Sequence, residues 1–240
     1  MKPDLYPELL AAGTLAAALE RTAAELAVDL TVLPGNWGDT SAAIAAAVPE
    51  RKPLHVHIGA EQRWFGVTGW SRGVQMITGG ATELRDIVRA AVAWGSGDSL
   101  RELRDRLPFL EFTELAEAHE RGPAAAVGVQ WRRIREEAAE EPEFTEFGLL
   151  VEAAHAEPRL RQLYPFSSHW VLGFRGHTGV PSRAAVAIVP AHNGRPYRVQ
   201  RFPHEGLIAE AATAQEAVAL AVAHLPADLG PAVAGSEEDG

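Results

Sequence analysis

The chain has 240 residues, 47% hydrophobic and 22% charged, with no cysteine and a formal net charge of −10. The length is enough to bury a real core, and the missing cysteines exclude disulfides, a thiolate nucleophile and Cys-based zinc sites. An acidic surface repels phosphate backbones and no segment is apolar over a bilayer's thickness, so neither nucleic acid nor membrane is an expected partner. Met1-Lys2-Pro3-Asp4-Leu5 lacks the basic start and apolar run of a secretory signal, and cytoplasmic residence is the expectation.

Thr14 is placed to open a helix with Leu15, Leu19 and Leu26 near one face. Alternation over 28–33, the stretch 42–48 and the runs 54–58, 63–67 and 74–77 read as an antiparallel meander. Gly79-Gly80 then precedes a helix near Thr82, a weak signal for an anion-binding N-terminus. Ser99 with Glu102 forms a capping box, and Pro108, Gly122-Pro123 and Pro142 punctuate a helical stretch that continues to about 163. Strands resume at 169–174, 184–189, 197–201 and 207–210. Thr213 with Glu216 is a second capping box before a last helix, and the small, acidic end is expected to be disordered.

The two ends share a pattern. Ala42-Ala43-Ile44-Ala45 and Ala184-Ala185-Val186-Ala187 each lead through strands to a threonine and a helix. Aligned on Thr82 and Thr213, Ile87, Ala91 and Trp94 correspond to Val218, Val222 and Leu225. The expected class is α+β: two similar helix–antiparallel sheet–helix lobes (1–95 and 164–229) joined by a helical segment (96–163), then a tail (230–240). A cleft between such lobes is a common place for a ligand.

Several clusters carry chemistry. His55-Val56-His57 on a strand puts both imidazoles on one face, with Glu61 four residues on. This resembles part of the first cupin motif, in which two histidines and a glutamate bind a divalent metal. Pro49 stands where a leading glycine would fall, and no second motif follows, so the set is one ligand short. Glu152 and His155 share a helix face as in di-iron bundles, but no second such pair exists, and a solvated face is the better reading. In Gly69-Trp70-Ser71-Arg72-Gly73, a Trp and an Arg on a tight turn suit an aromatic or anionic ligand, although a turn Trp more often folds onto its sheet. Ser167-Ser168-His169-Trp170, with Arg175 and His177 following, places a general base beside a further aromatic and guanidinium, without the nucleophile elbow of a serine hydrolase. Trp131-Arg132-Arg133-Ile134-Arg135, flanked by glutamates, reads as an ion-pair-laced helix.

Four ordered runs carry a family resemblance: Phe65-Gly66-Val67 through Gln75, Ser99 to Phe112, Glu114 to Pro123, and Glu152-Ala153-Ala154-His155. Over nearly its whole length the chain resembles an uncharacterised actinobacterial family labelled as natural product biosynthesis proteins. The resemblance implies secondary metabolism and supplies no catalytic residues. With no nucleotide or cofactor fingerprint, no cofactor is expected. The leading expectation is a cofactor-independent tailoring enzyme of cyclase, lyase or isomerase type acting on a small molecule or modified peptide. His169 or His57 would carry the proton, and Trp70, Arg72, Trp170 and Arg175 would hold the substrate. The alternatives are a non-catalytic binding protein and a cupin-like metal enzyme on His55, His57 and Glu61.

Overall fold

A computed structural model describes residues 3–179, 184–201 and 206–235. The chain divides into two compact units, 1–120 and 121–240. The first begins with α1 (Pro7–Ala12) and α2 (Leu15–Glu25), the latter opened by Thr14, whose side chain accepts the Ala17 N–H at 3.1 Å. Five strands follow: β1 (Val32–Pro34), β2 (Ser41–Ile44), β3 (Leu54–Ile58), β4 (Phe65–Ser71) and β5 (Val74–Ala81). Then come α3 (Leu84–Gly95), α4 (Leu100–Arg106), the two-residue β6 (Leu110–Glu111) and α5 (Glu114–Arg121). All six strands form one antiparallel sheet in sequence order.

The first strand is shorter than the alternation over 28–33 predicts, because only Val32–Pro34 joins the ladder, on β2. Gly79-Gly80 lies inside β5, opposite Val67 and Gly66. It is therefore no helix-entry loop, and the anion-site expectation falls with it. Leu54 and Val56 of β3, Phe65 and Val67 of β4 and Ile77 of β5 point into a core closed by α2 and α3, each contributing about 1.5–3 kcal/mol. Two braces tie the loops to this core. The buried Tyr6 hydroxyl sits 2.9 Å from the carbonyls of Gly59 and Gln62 and accepts the Trp64 N–H. The Arg51 guanidinium stacks on Trp94 and donates to the Trp94 carbonyl at 2.8 Å, satisfying the open end of α3.

The second unit repeats the order of helices, meander and helix. It contains α6 (Pro123–Glu140), α7 (Thr145–Ala156) and α8 (Pro158–Arg161), then β7 (Tyr164–Ser168), β8 (Val171–Arg175), β9 (Ala184–Val189), β10 (Tyr197–Gln200) and β11 (Leu207–Ala211), and finally α9 (Ala214–Ala223). The five strands again form one antiparallel sheet in sequence order. α9 packs on β9, β10 and β11, α6 lies on β7, and α7 joins α6 to α9. From α3 to α8 the chain is helical apart from β6, so the α+β class with a helical middle holds. The unit boundary falls within that middle, after residue 120.

The two Ala-rich runs occupy different places. β2 is the fourth strand before the helix that follows its meander, whereas β9 is the third. The threonines differ as well: Thr213 caps α9 in a full capping box with Glu216, but α3 has Glu83 at its N-cap and Thr82 is exposed. At the C-terminus, Ala232 and Val233 donate to the carbonyls of Gln162 and Gly176, so 230–235 is docked where a free tail was expected. Residues 236–240 lie outside the described residues.

Two predictions follow from this packing. Thr213→Ala lowers stability by about 1 kcal/mol in urea denaturation, while Thr82→Ala stays within about 0.5 kcal/mol. Burial pushes the His119 imidazole on α5 down to about 4. Because its folded pKa lies below the unfolded value of about 6.5, its contribution is complete above that value and is lost as pH falls towards 4. The partial exposure limits the effect to the order of 2 kcal/mol, and His119→Gln should flatten the stability profile over that interval.

Candidate functional site

Among the described residues, three hairpins turn on two residues of positive φ. Arg72-Gly73 joins β4 to β5 with φ 49° and 75°, and Asn193-Gly194 lies between β9 and β10 with φ 49° and 75°. These are the glycine-containing sequences that such turns favour. His169-Trp170, between β7 and β8, adopts φ 49° and 65° with no glycine at all. A tryptophan in the left-handed region is a genuine outlier and costs on the order of 1–2 kcal/mol. It persists only where the surroundings over-determine it.

The surroundings here are aromatic. The Trp170 ring meets Phe144 edge-on at 5.4 Å and Phe147 at 5.3 Å, and His192 meets Phe144 at 5.4 Å. Phe147 is fully buried on α7, and Phe144 sits at that helix's N-cap. The tips of two hairpins and the α6–α7 connection therefore converge on one cluster. Above it lies a cavity of about 850 Å³, whose walls include His169, Trp170, His192 and Arg195. That volume is within the range of small-ligand clefts.

His169 is exposed, and its Nδ1 lies 3.3 Å from the Ser168 hydroxyl. Among the described residues no carboxylate orients this imidazole, so Ser168 and His169 make no triad. Ser167 donates to the Glu137 carboxylate of α6 at 2.9 Å. His169 and Trp170 form a turn where the sequence predicts the start of a strand, because Ser168 and Val171 close the ladder around them.

The other expected site residues stand apart from this cavity. Arg175 is at the far end of the β7–β8 hairpin, opposite Tyr164, with its guanidinium 4.1 Å above the Phe166 ring. Desolvation lowers its pKa, and its Nε is buried without a hydrogen bond. His57, Trp70 and Arg72 belong to the first unit. Trp70 and Ser71 end β4, so only Arg72-Gly73 forms the turn, and Arg72 pairs with Glu50 at 3.4 Å. His55 and His57 share a face of β3, the His57 ring lying over Gly66, where a Cβ would come within 2.4 Å of it. Trp37, on the other side, meets His57 edge-on at 6.3 Å. Glu61 lies in the exposed β3–β4 loop, and among the described residues no three His, Asp or Glu side chains come together to hold a metal. The cupin-like set is not assembled. Glu152 binds Arg135 through both oxygens, at 2.7 and 3.0 Å, and His155 packs on Trp131, so that helix face is structural.

His192, Arg195 and Phe144 escape the sequence reading. Asn193-Gly194 is the signal that would have found the first two, since it marks a tight hairpin and places its flanks at one tip. Phe144 carries no such mark and acquires its role only through contact with Trp170.

Residues 125–236 match the model of a family described as a family of unknown function (DUF6193). The second unit is similar to that family. The matched stretch covers nearly all of that unit and the whole cavity lining. No curated protein matches the chain, and no solved structure does. Among the described residues no helix is long and apolar enough to cross a membrane.

The strain makes a prediction. His169→Gly raises stability by about 1 kcal/mol, because an exposed side chain is exchanged for a residue at ease in the left-handed region. Trp170→Gly lowers it by about 1–3 kcal/mol, since the lost ring packing outweighs the relief. A loss of stability in His169→Gly by chemical denaturation would mean that the turn is not strained there.

Proposed function

We propose that the protein serves natural product biosynthesis in the cytoplasm and that the cavity of the second unit is its working site. The ligand is a small molecule or modified peptide, and the chemistry is cofactor-independent proton transfer of the cyclase, lyase or isomerase kind. The observation that carries this reading is Trp170, held at positive φ by Phe144 and Phe147. Strain of that kind clusters at sites where a side chain must be pre-aimed. His169, beside it on the cavity wall with a free edge, is the group placed to take a proton from the ligand and return it. The repeated element order of the two units fits an internal duplication.

Among the described residues the Ser168 hydroxyl, and no carboxylate, lies against the His169 imidazole, which favours a second reading in which the same pocket binds its ligand without catalysis. One experiment separates the two. In the source organism the gene is replaced by His169→Ala and, separately, by Trp170→Ala, and the metabolites are compared by mass spectrometry. Catalysis predicts a product loss of about 10²- to 10⁴-fold in both, with its precursor accumulating. Binding alone predicts loss in Trp170→Ala and normal levels in His169→Ala. An unchanged profile in both variants overturns the biosynthetic role.

A further inference from the structure

The charges around the cavity are left uncombined. Glu141, Glu143 and Glu146 line it from the α6–α7 connection and the first turn of α7, and Arg195 and Arg198 line it from the β9–β10 hairpin. None of the five forms an ion pair among the described residues. Elsewhere on the same helices such groups do pair: Arg135 with Glu152 at 2.7 Å, and Arg132 with Glu136 at 3.5 Å. A smaller cavity of about 430 Å³ beside Trp131 includes Arg132 and Arg135, whose charges are thereby already engaged. In the larger cavity, acids on one wall and guanidiniums on another face the same space without meeting, with the Phe144–Trp170 platform also in the lining.

We infer that this pocket recognises a short peptide-like zwitterion: an amine towards the glutamates, an aromatic or apolar side chain on Phe144 and Trp170, and a carboxylate towards Arg195 and Arg198. The inference rests on reading the cavity as the working site and names its ligand class. A short peptide is the chemistry that sets an amine and a carboxylate on opposite sides of a side chain. Three residues span at most about 10 Å, a length such a cavity accommodates. A guanidinium grips a carboxylate through two parallel hydrogen bonds, and an ammonium gains from both the glutamates and the aromatic faces.

The test uses the full chain and five probes: Gly-Phe-Gly, its N-acetyl form, its C-terminal amide, the doubly blocked peptide and Gly-Ala-Gly. Binding is followed through the Trp170 indole resonance, assigned with Trp170→Phe. Gly-Phe-Gly should bind best, each blocking group should weaken it about tenfold, and Gly-Ala-Gly should lose more than tenfold. Glu146→Gln should abolish the penalty for N-acetylation, and Arg198→Gln the penalty for amidation. Equal binding of all four Phe peptides would overturn the zwitterion while leaving the pocket. No response to any peptide, with the Trp170→Ala metabolite loss still present, would overturn the ligand class alone. No response and no metabolite loss would overturn the working site with it.

Discussion

The second unit's candidate site depends on holding two neighbouring residues, neither of them glycine, in a backbone conformation that favours glycine. His169 and Trp170 stay there because the β7–β8 ladder closes on both sides and the Trp170 ring packs edge-on against the stacked pair Phe144 and Phe147. Those phenylalanines belong to the start of α7, which is fixed in turn by α6 and α9. The two glycine-bearing hairpins show what a turn of this geometry ordinarily uses. The departure at Trp170 places a large indole at the tip of a hairpin, where a ligand can reach it. The fold then supplies rigidity that the turn itself lacks.

Charge follows the same division between engaged and available groups. Arg51 closes α3, Arg63 binds Glu8 at 2.8 Å, and Arg135 binds Glu152 through two oxygens. Arg175 is stacked on Phe166 and partly desolvated, which makes it a bracing residue of the sheet. Exposed pairs of this kind add little individually, about 0.2–1 kcal/mol. They do determine which cations are left to attract something else. Arg195 and Arg198 are in that remainder, and the unengaged glutamates face the same cavity.

Local signals in the sequence were faithful where the physics is local. Both capping boxes form with the predicted partners, Thr14 caps α2, and the strands at Leu54–Ile58 and Ala184–Val189 have the predicted bounds. Errors arose where a distant partner decides. The alternation at 28–33 yields a strand only where β2 reaches it, and Gly79-Gly80 is drawn into β5 by β4. His169-Trp170 carries strand-like residues, and their turn is legible only once Phe144 and Phe147 are in place. His169 and Trp170 were legible as candidates, and both line the cavity. His192 was recoverable from Asn193-Gly194, and Phe144 was not recoverable at all.

The same distinction weighs against the first unit as a site. His57 fills the space above Gly66, Arg72 pairs with Glu50, and Tyr6 and Trp94 are tied into loops by hydrogen bonds. Each of these four groups has a neighbour that accounts for its position. In the second unit the strained turn, the exposed edge of the aromatic cluster and charges that form no ion pair among the described residues line one cavity. Backbone strain and unengaged charge that meet at one cavity are the features that distinguish a candidate site from a brace.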